Sequence, residues 1–226
     1  MNKTRFEKEE VIHQMGATGL LPVFYHEDLE LVKRIVKACY GGGIRVFEYT
    51  NRGTSAADVF EQLIPWANKN YPDFMIGIGS VIDSRTTEIY IQQGADFVVS
   101  PAVLPEMAEV CSQYGVNWIP GCGTVTEIVE ALRLQAPLVK LFPAAQLGGP
   151  DFIKAVLGPL PQLKVMPTGG VLPDRMALTE WFEAGAFCVG VGSQLFSKNL
   201  LDSDSLISLS ATVRELLNHI KKLKGN

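Results

Sequence analysis

Eight short runs rich in Val, Ile and Phe recur roughly every 20 to 30 residues along this chain, each followed by a polar-patterned stretch long enough for a helix. The runs are Leu20–Tyr25, Ile44–Thr50, Phe74–Ser80, Phe97–Pro101, Asn117–Cys122, Leu138–Pro143, Lys164–Thr168 and Phe187–Val191. Strands that are apolar on both faces need cover on both, so alternation with helices predicts a parallel sheet. A count of eight predicts a closed (β/α)8 TIM barrel over an open doubly wound sheet. Helices are predicted over Leu29–Tyr40, Ala56–Asn70, Thr86–Gln93, Glu106–Tyr114, Thr126–Leu134, Asp151–Leu157, Asp174–Glu183 and Ser205–Lys222. Gly41–Gly43, Gly94, Gly115, Gly158 and Gly185 stand just past most of these stretches, as helix stops. Residues 3–15 predict an extra N-terminal helix across the barrel bottom.

At 226 residues and 47% hydrophobic content the chain can bury a large core, and residues 1–226 read as one barrel domain. Twenty basic against 24 acidic residues leave a formal charge of −4, which offers no basic field for nucleic acid and no polybasic membrane patch. Cys39, Cys111, Cys122 and Cys188 are widely spaced with no C-x-x-C pair, as suits reduced thiols. The charged N-terminal segment lacks the apolar stretch of a signal peptide, and no later run reaches membrane-spanning length. The expected location is the cytoplasm.

A barrel places its site at the C-terminal ends of the strands, which selects few polar residues. Lys140 interrupts the apolar run from Pro137 to Pro143. An ammonium group buried there is costly, so desolvation lowers its pKa from about 10.4, and a neutral amine can attack a ketone to form a Schiff base. The other reading places Lys140 on the outer face, with its stem running to solvent. Glu48 alternates with Val46 and Thr50 and so faces inward, with Arg52 in the loop beyond. A carboxylate among apolar neighbours suits a group that accepts and then donates a proton. It could equally be a buried partner for Arg45, Arg52 or Lys140.

The last two strands end in Thr168-Gly169-Gly170 and Gly190-Val191-Gly192-Ser193. Glycine-rich turns at that position leave backbone N–H groups free to converge on a phosphate, although plain tight turns would read the same. Strands three and four end in Ser80 and Pro101. Gly190-x-Gly192 lacks the third glycine and downstream acid of a dinucleotide fingerprint. His13, His26 and His219 are scattered and no metal motif appears, so no metal and no cofactor is expected, and His26 reads as a solvated loop residue.

Taken in order, Glu48 with Arg52, Gly77-Ile78-Gly79-Ser80, Ser100-Pro101, Lys140-Leu141-Phe142-Pro143, Thr168-Gly169-Gly170 and Gly190-Val191-Gly192-Ser193 resemble the 2-keto-3-deoxy-6-phosphogluconate (KDPG) and 4-hydroxy-2-oxoglutarate (KHG) aldolase family. The resemblance runs from about residue 10 to the end. It implies a class I aldolase, usually a homotrimer, that cleaves a phosphorylated 2-keto-3-deoxy sugar acid to pyruvate and glyceraldehyde 3-phosphate. It also implies Lys140 as the Schiff-base lysine and Glu48 as the proton shuttle. Arg52 and Ser80 would hold the pyruvate carboxylate, Pro101 and Phe142 would pack the substrate, Thr168 would line the pocket, and Gly169, Gly170, Gly190 and Ser193 would take the phosphate. Ser80 stands where the family often has threonine, Ala145 where many members carry glutamate, and Tyr25 where some carry arginine; Asn51 beside Arg52 is also unusual. The alternatives are an aldolase for another 2-oxo acid, an isomerase using Glu48 as base, and a metabolite-binding barrel without activity.

Overall fold

The structure, a computed structural model, describes residues 4–196 and 203–225. Strands and helices alternate: α1 Lys8–Thr18, β1 Leu20–Phe24, α2 Leu29–Gly42, β2 Val46–Thr50, α3 Ala56–Asn70, β3 Met75–Gly79, α4 Ser84–Gln92, β4 Phe97–Val99, α5 Pro105–Tyr114, β5 Asn117–Ile119 and β6 Gly121–Cys122. Then follow α6 Val125–Arg133, β7 Val139–Leu141, α7 Gly149–Leu157, β8 Val165–Pro167, α8 Arg175–Glu183, β9 Val189–Val191 and α9 Ser203–Leu223. All strand pairs are parallel, in a six-stranded sheet ordered β5-β4-β3-β2-β1-β9 and a three-stranded sheet ordered β6-β7-β8. The result is an α/β fold with a curled parallel sheet.

The expected fifth strand, Asn117–Cys122, is therefore divided, and the pairing does not run as one unbroken ring. Pro120 separates its halves; having no N–H, it cannot donate to a ladder, though its carbonyl accepts from the Lys140 amide at 2.9 Å. Between β8 and β9 the pairing reduces to the bridge Thr168↔Gly190 and a bond from Phe187 N to Val165 O of 2.9 Å.

Alternation along the strands sorts two apolar layers. Val46, Met75, Phe97, Val99, Ile119, Leu138 and Met166 face inward and pack with Val11, Ile12 and Met15 of α1. Phe47, Tyr49, Ile76, Ile78, Val98, Val139 and Val165 point the other way, toward the covering helices. Because side chains alternate with period two, Glu48 and Lys140 fall on the inward set with Val46 and Leu138. Beyond Met75, the inward positions of β3 are Gly77 and Gly79: a Cβ at Gly77 would collide with the Phe97 ring, and one at Gly79 with the Glu48 carboxylate.

The N-terminal helix begins later than the expected residues 3–15. Glu7 is extended, at φ −73° and ψ 150°, and Gly19 ends the helix at φ 73°. Ahead of it, Arg5 is committed elsewhere, donating to Phe74 O at 2.6 Å; Lys3 lies outside the described residues. The glycine stops hold at Gly43, Gly94, Gly115 and Gly185, all left-handed, but Gly158 has φ −54° and needs no glycine for its conformation. Asp28, Asp83, Thr124 and Asp174 cap the helices they precede by accepting backbone N–H bonds.

Candidate active site

The inward alternation that seats Glu48 on β2 and Lys140 on β7 brings them together between the two sheets: Lys140 Nζ lies 3.5 Å from Glu48 Oε1. The two side chains are only 8% and 1% exposed, so this is a buried ion pair, and neither Glu48 oxygen has a hydrogen-bond partner. The reading of Lys140 as an outward, solvated lysine is thereby set aside. Of the partners considered for Glu48, Arg45 bonds instead to Asp73 at 2.9 Å. Lys140 Nζ also stands 5.5 Å from the Phe142 ring centre.

Above this pair is a cavity of about 200 Å³ at the C-terminal ends of the strands. Lys140 forms its floor, and Arg52, Ser80, Pro101, Phe142, Thr168, Gly169, Gly170, Gly190 and Ser193 line it. Every site residue expected from the sequence is thus assembled there except Glu48, which touches Lys140 from beneath the lining. Arg52 Nε reaches Ser80 Oγ at 3.5 Å, and Ser80 leaves β3 in a left-handed conformation at φ 62°, an uncommon one for a residue with a side chain.

Two glycines of the lining are required by geometry. Gly170 has φ 80°, and a Cβ there would collide with that of Ala145. At Gly190 the missing side chain leaves room for Thr168 Oγ1, which is buried without a protein partner. Gly192, already part of the glycine-rich turn expected after the last strand, lines the cavity too, whereas Val23, Val171 and Gln194 line it and escape the sequence reading. Gln194 follows the glycine-rich turn directly, which is the signal that could have found it; Val23 reads simply as core.

Tyr25 is half-buried, its hydroxyl 3.4 Å from Ser55 Oγ and close over Gly53, where any Cβ would meet it. His26 serves its own loop, Nδ1 accepting from Asp28 N at 3.0 Å. Two larger cavities, of about 610 and 430 Å³, open at the opposite ends of the strands beside Lys8, His13 and Lys164 and beside Arg5 and Asp96. Neither is lined by an amine held against a carboxylate as Lys140 is against Glu48. Among the described residues no group of three or more His, Cys, Asp or Glu could hold a metal ion, and no helix is long and apolar enough to cross a membrane.

Comparison with known proteins agrees with this geometry. The family model for KDPG and KHG aldolase matches residues 11–211. The 2-dehydro-3-deoxy-phosphogluconate aldolase of Haemophilus influenzae is 30% identical over 220 residues, covering 96% of this chain and 99% of its own. The KHG/KDPG aldolase of Escherichia coli K12 is 28% identical over 206 residues, covering 89% of this chain and 92% of its own. Among solved structures, a KDPG aldolase from Legionella pneumophila, with pyruvate captured as a covalent carbinolamine intermediate, superposes with a TM-score of 0.81 at 28% identity, covering 91% of this chain and 97% of that one.

Proposed function

The chain belongs to the KDPG and KHG aldolase family, and on that premise we propose that it is a class I aldolase, a carbon–carbon lyase that cleaves a phosphorylated 2-keto-3-deoxy sugar acid to pyruvate and glyceraldehyde 3-phosphate. The observation that carries the reading is the buried Lys140–Glu48 pair, 3.5 Å apart at the floor of the pocket. An amine there can add to C2 of a 2-oxo acid, and a carboxylate beside it can move the protons that the addition and the cleavage require.

The amine of Lys140 attacks C2, giving a carbinolamine that loses water to form the iminium. Glu48 accepts the proton of the C4 hydroxyl; the C3–C4 bond breaks, its electron pair enters the iminium as an enamine, and the aldehyde departs. Protonation of the enamine at C3, followed by addition of water, releases pyruvate and restores the amine. Arg52 and Ser80 hold the carboxylate, fixing C2 against Lys140. Pro101, Phe142 and Thr168 pack the carbon chain. Gly169, Gly170, Gly190 and Ser193 take the phosphate, supported by the left-handed glycines at 169 and 170 and the tight seat of Gly190. No external cofactor enters these steps.

The same inference extends to architecture and setting. Eight strand positions close into one (β/α)8 barrel domain over residues 1–226, supported by the Thr168↔Gly190 bridge and by β5 and β6 being separated by Pro120 alone. A homotrimer is implied by the sequence resemblance and is tested by light scattering. A cytoplasmic location is supported by four buried cysteines kept as thiols. The test of function is mass spectrometry after incubation with pyruvate and borohydride. A reduced pyruvyl adduct mapped to Lys140 is expected; its absence, beside a positive control, removes the Schiff-base reading.

A further inference from the structure

Asn51 and Tyr90 take no part in the steps above, yet they hold the loop that carries Arg52. Tyr90, on α4, is 1% exposed, and its phenol donates to Asn51 Oδ1 at 2.8 Å. The backbone N–H of Asn51 donates to Gly79 O, also at 2.8 Å. Asn51 is therefore fixed from two sides, by the last residue of β3 and by a side chain from the helix that follows β3. Immediately beyond it, Arg52 N donates to Thr50 O at 3.0 Å, and its long exposed side chain leads to Ser80.

The Tyr90 ring is seated edge-on against Phe60, with centres 5.2 Å apart, so the phenol has little freedom of its own. Burial pushes its hydroxyl up to about 12, which keeps it a donor at any neutral pH. The bond ties the loop after β2 to the helix after β3. The loop after β2 presents Arg52, and Ser80 stands between β3 and that helix.

We propose that Tyr90 and Asn51 are positioning residues that aim Arg52 at the carboxylate of the 2-oxo acid. The proposal rests on the reading of this pocket as a 2-oxo acid site. A guanidinium on a flexible stem loses rotamer freedom when it grips a carboxylate bidentately, and a fixed starting backbone reduces that loss. Its failure should therefore weaken binding of the carboxylate rather than slow the chemistry at Lys140.

Tyr90→Phe removes the bond while keeping the ring. The adduct-trapping rate, measured against pyruvate concentration, should show half-saturation raised about three- to ten-fold with a limiting rate within about two-fold, the scale of one lost hydrogen bond. Methyl pyruvate, which has no charged carboxylate, should be unaffected, and in an Arg52→Ala background Tyr90→Phe should change nothing further. Asn51→Ala breaks the same bond from the half-exposed side and should give the same split, which keeps the test open should Tyr90→Phe fail to fold. Equal effects on pyruvate and its ester, or an undiminished effect without Arg52, would mean a purely structural role and overturn the proposal. If wild-type protein traps no pyruvate, the functional reading falls and this proposal with it; trapping that is indifferent to Tyr90 removes this proposal alone.

Discussion

Lys140 Nζ and Glu48 Oε1 stand 3.5 Å apart in a region where both side chains are nearly closed to solvent. Each charge removed from water here relies on the other, so deleting one partner strands its counterpart. Lys140→Met should abolish the pyruvate adduct and also destabilise the fold by about 3–5 kcal/mol, because Glu48 is left buried and uncompensated. The double variant Glu48→Gln/Lys140→Met should recover much of that loss without recovering activity. Urea unfolding of the three proteins checks this; a double variant as unstable as Lys140→Met would show that the loss comes from packing, not charge.

Gly79 offers a way to displace Glu48 without changing either charged group. Its φ is not left-handed, so alanine is sterically acceptable to the backbone, but the new Cβ would collide with the Glu48 carboxylate. Moving a proton-transfer group by about 1 Å can cost on the order of a hundred-fold. Gly79→Ala should accordingly lower turnover by about ten- to a hundred-fold while the protein still folds and still binds pyruvate. Steady-state kinetics beside a thermal melt separates this from general destabilisation.

These two sites mark how far the sequence could be read. Inward alternation along β2 and an amine in an apolar run made Glu48 and Lys140 visible from local pattern, because period-two geometry is encoded residue by residue. Their contact across strands β2 and β7 was only one of several pairings open to Glu48, and burial among neighbours distant in sequence selected it. The break at Pro120 was legible in principle, since proline cannot donate, but the surrounding apolar residues masked it. The Tyr90–Asn51 bond had no local signature: on its helix Tyr90 is simply one more buried aromatic, and only the packing of α4 against the β2 loop gives its hydroxyl a partner. The later start of the N-terminal helix has no local signal either, since the bond that draws Arg5 to Phe74 O joins residues far apart in sequence.

All four cysteines are buried and free, and burial pushes each thiol up to about 12. Only the thiolate reacts readily, so the folded protein at pH 8 should resist alkylation over hours, whereas denatured protein should take up four equivalents. A maleimide mass shift before and after urea measures this. Fast labelling of any cysteine in the native state would mean that its segment opens locally.

Asp96 gives the fold a pH dependence opposite to that of an ordinary paired carboxylate. Its side chain is 4% exposed; it accepts from Ile76 N at 2.8 Å and lies 3.8 Å from Arg5 Nε. Burial outweighs the pull of Arg5 and of the Ile76 bond and raises the carboxyl from 3.8 to about 6. The native state therefore holds a proton that the unfolded chain releases, and the stability Asp96 contributes is full below about pH 4 and lost as pH rises through about 6. Two pKa units correspond to on the order of 3 kcal/mol. Glu127 runs the other way, its carboxyl lowered chiefly by the Gly123 N–H, so the total stability curve mixes both signs. The comparison that isolates Asp96 is wild type against Asp96→Asn, which keeps the shape and the acceptor for Ile76 N. The wild type's advantage over the variant should decline between pH 4 and 6 and stay constant above about 7, as measured by denaturant unfolding. An advantage that grows across that interval would instead place Arg5 in control, with Asp96 ionised in the folded protein throughout.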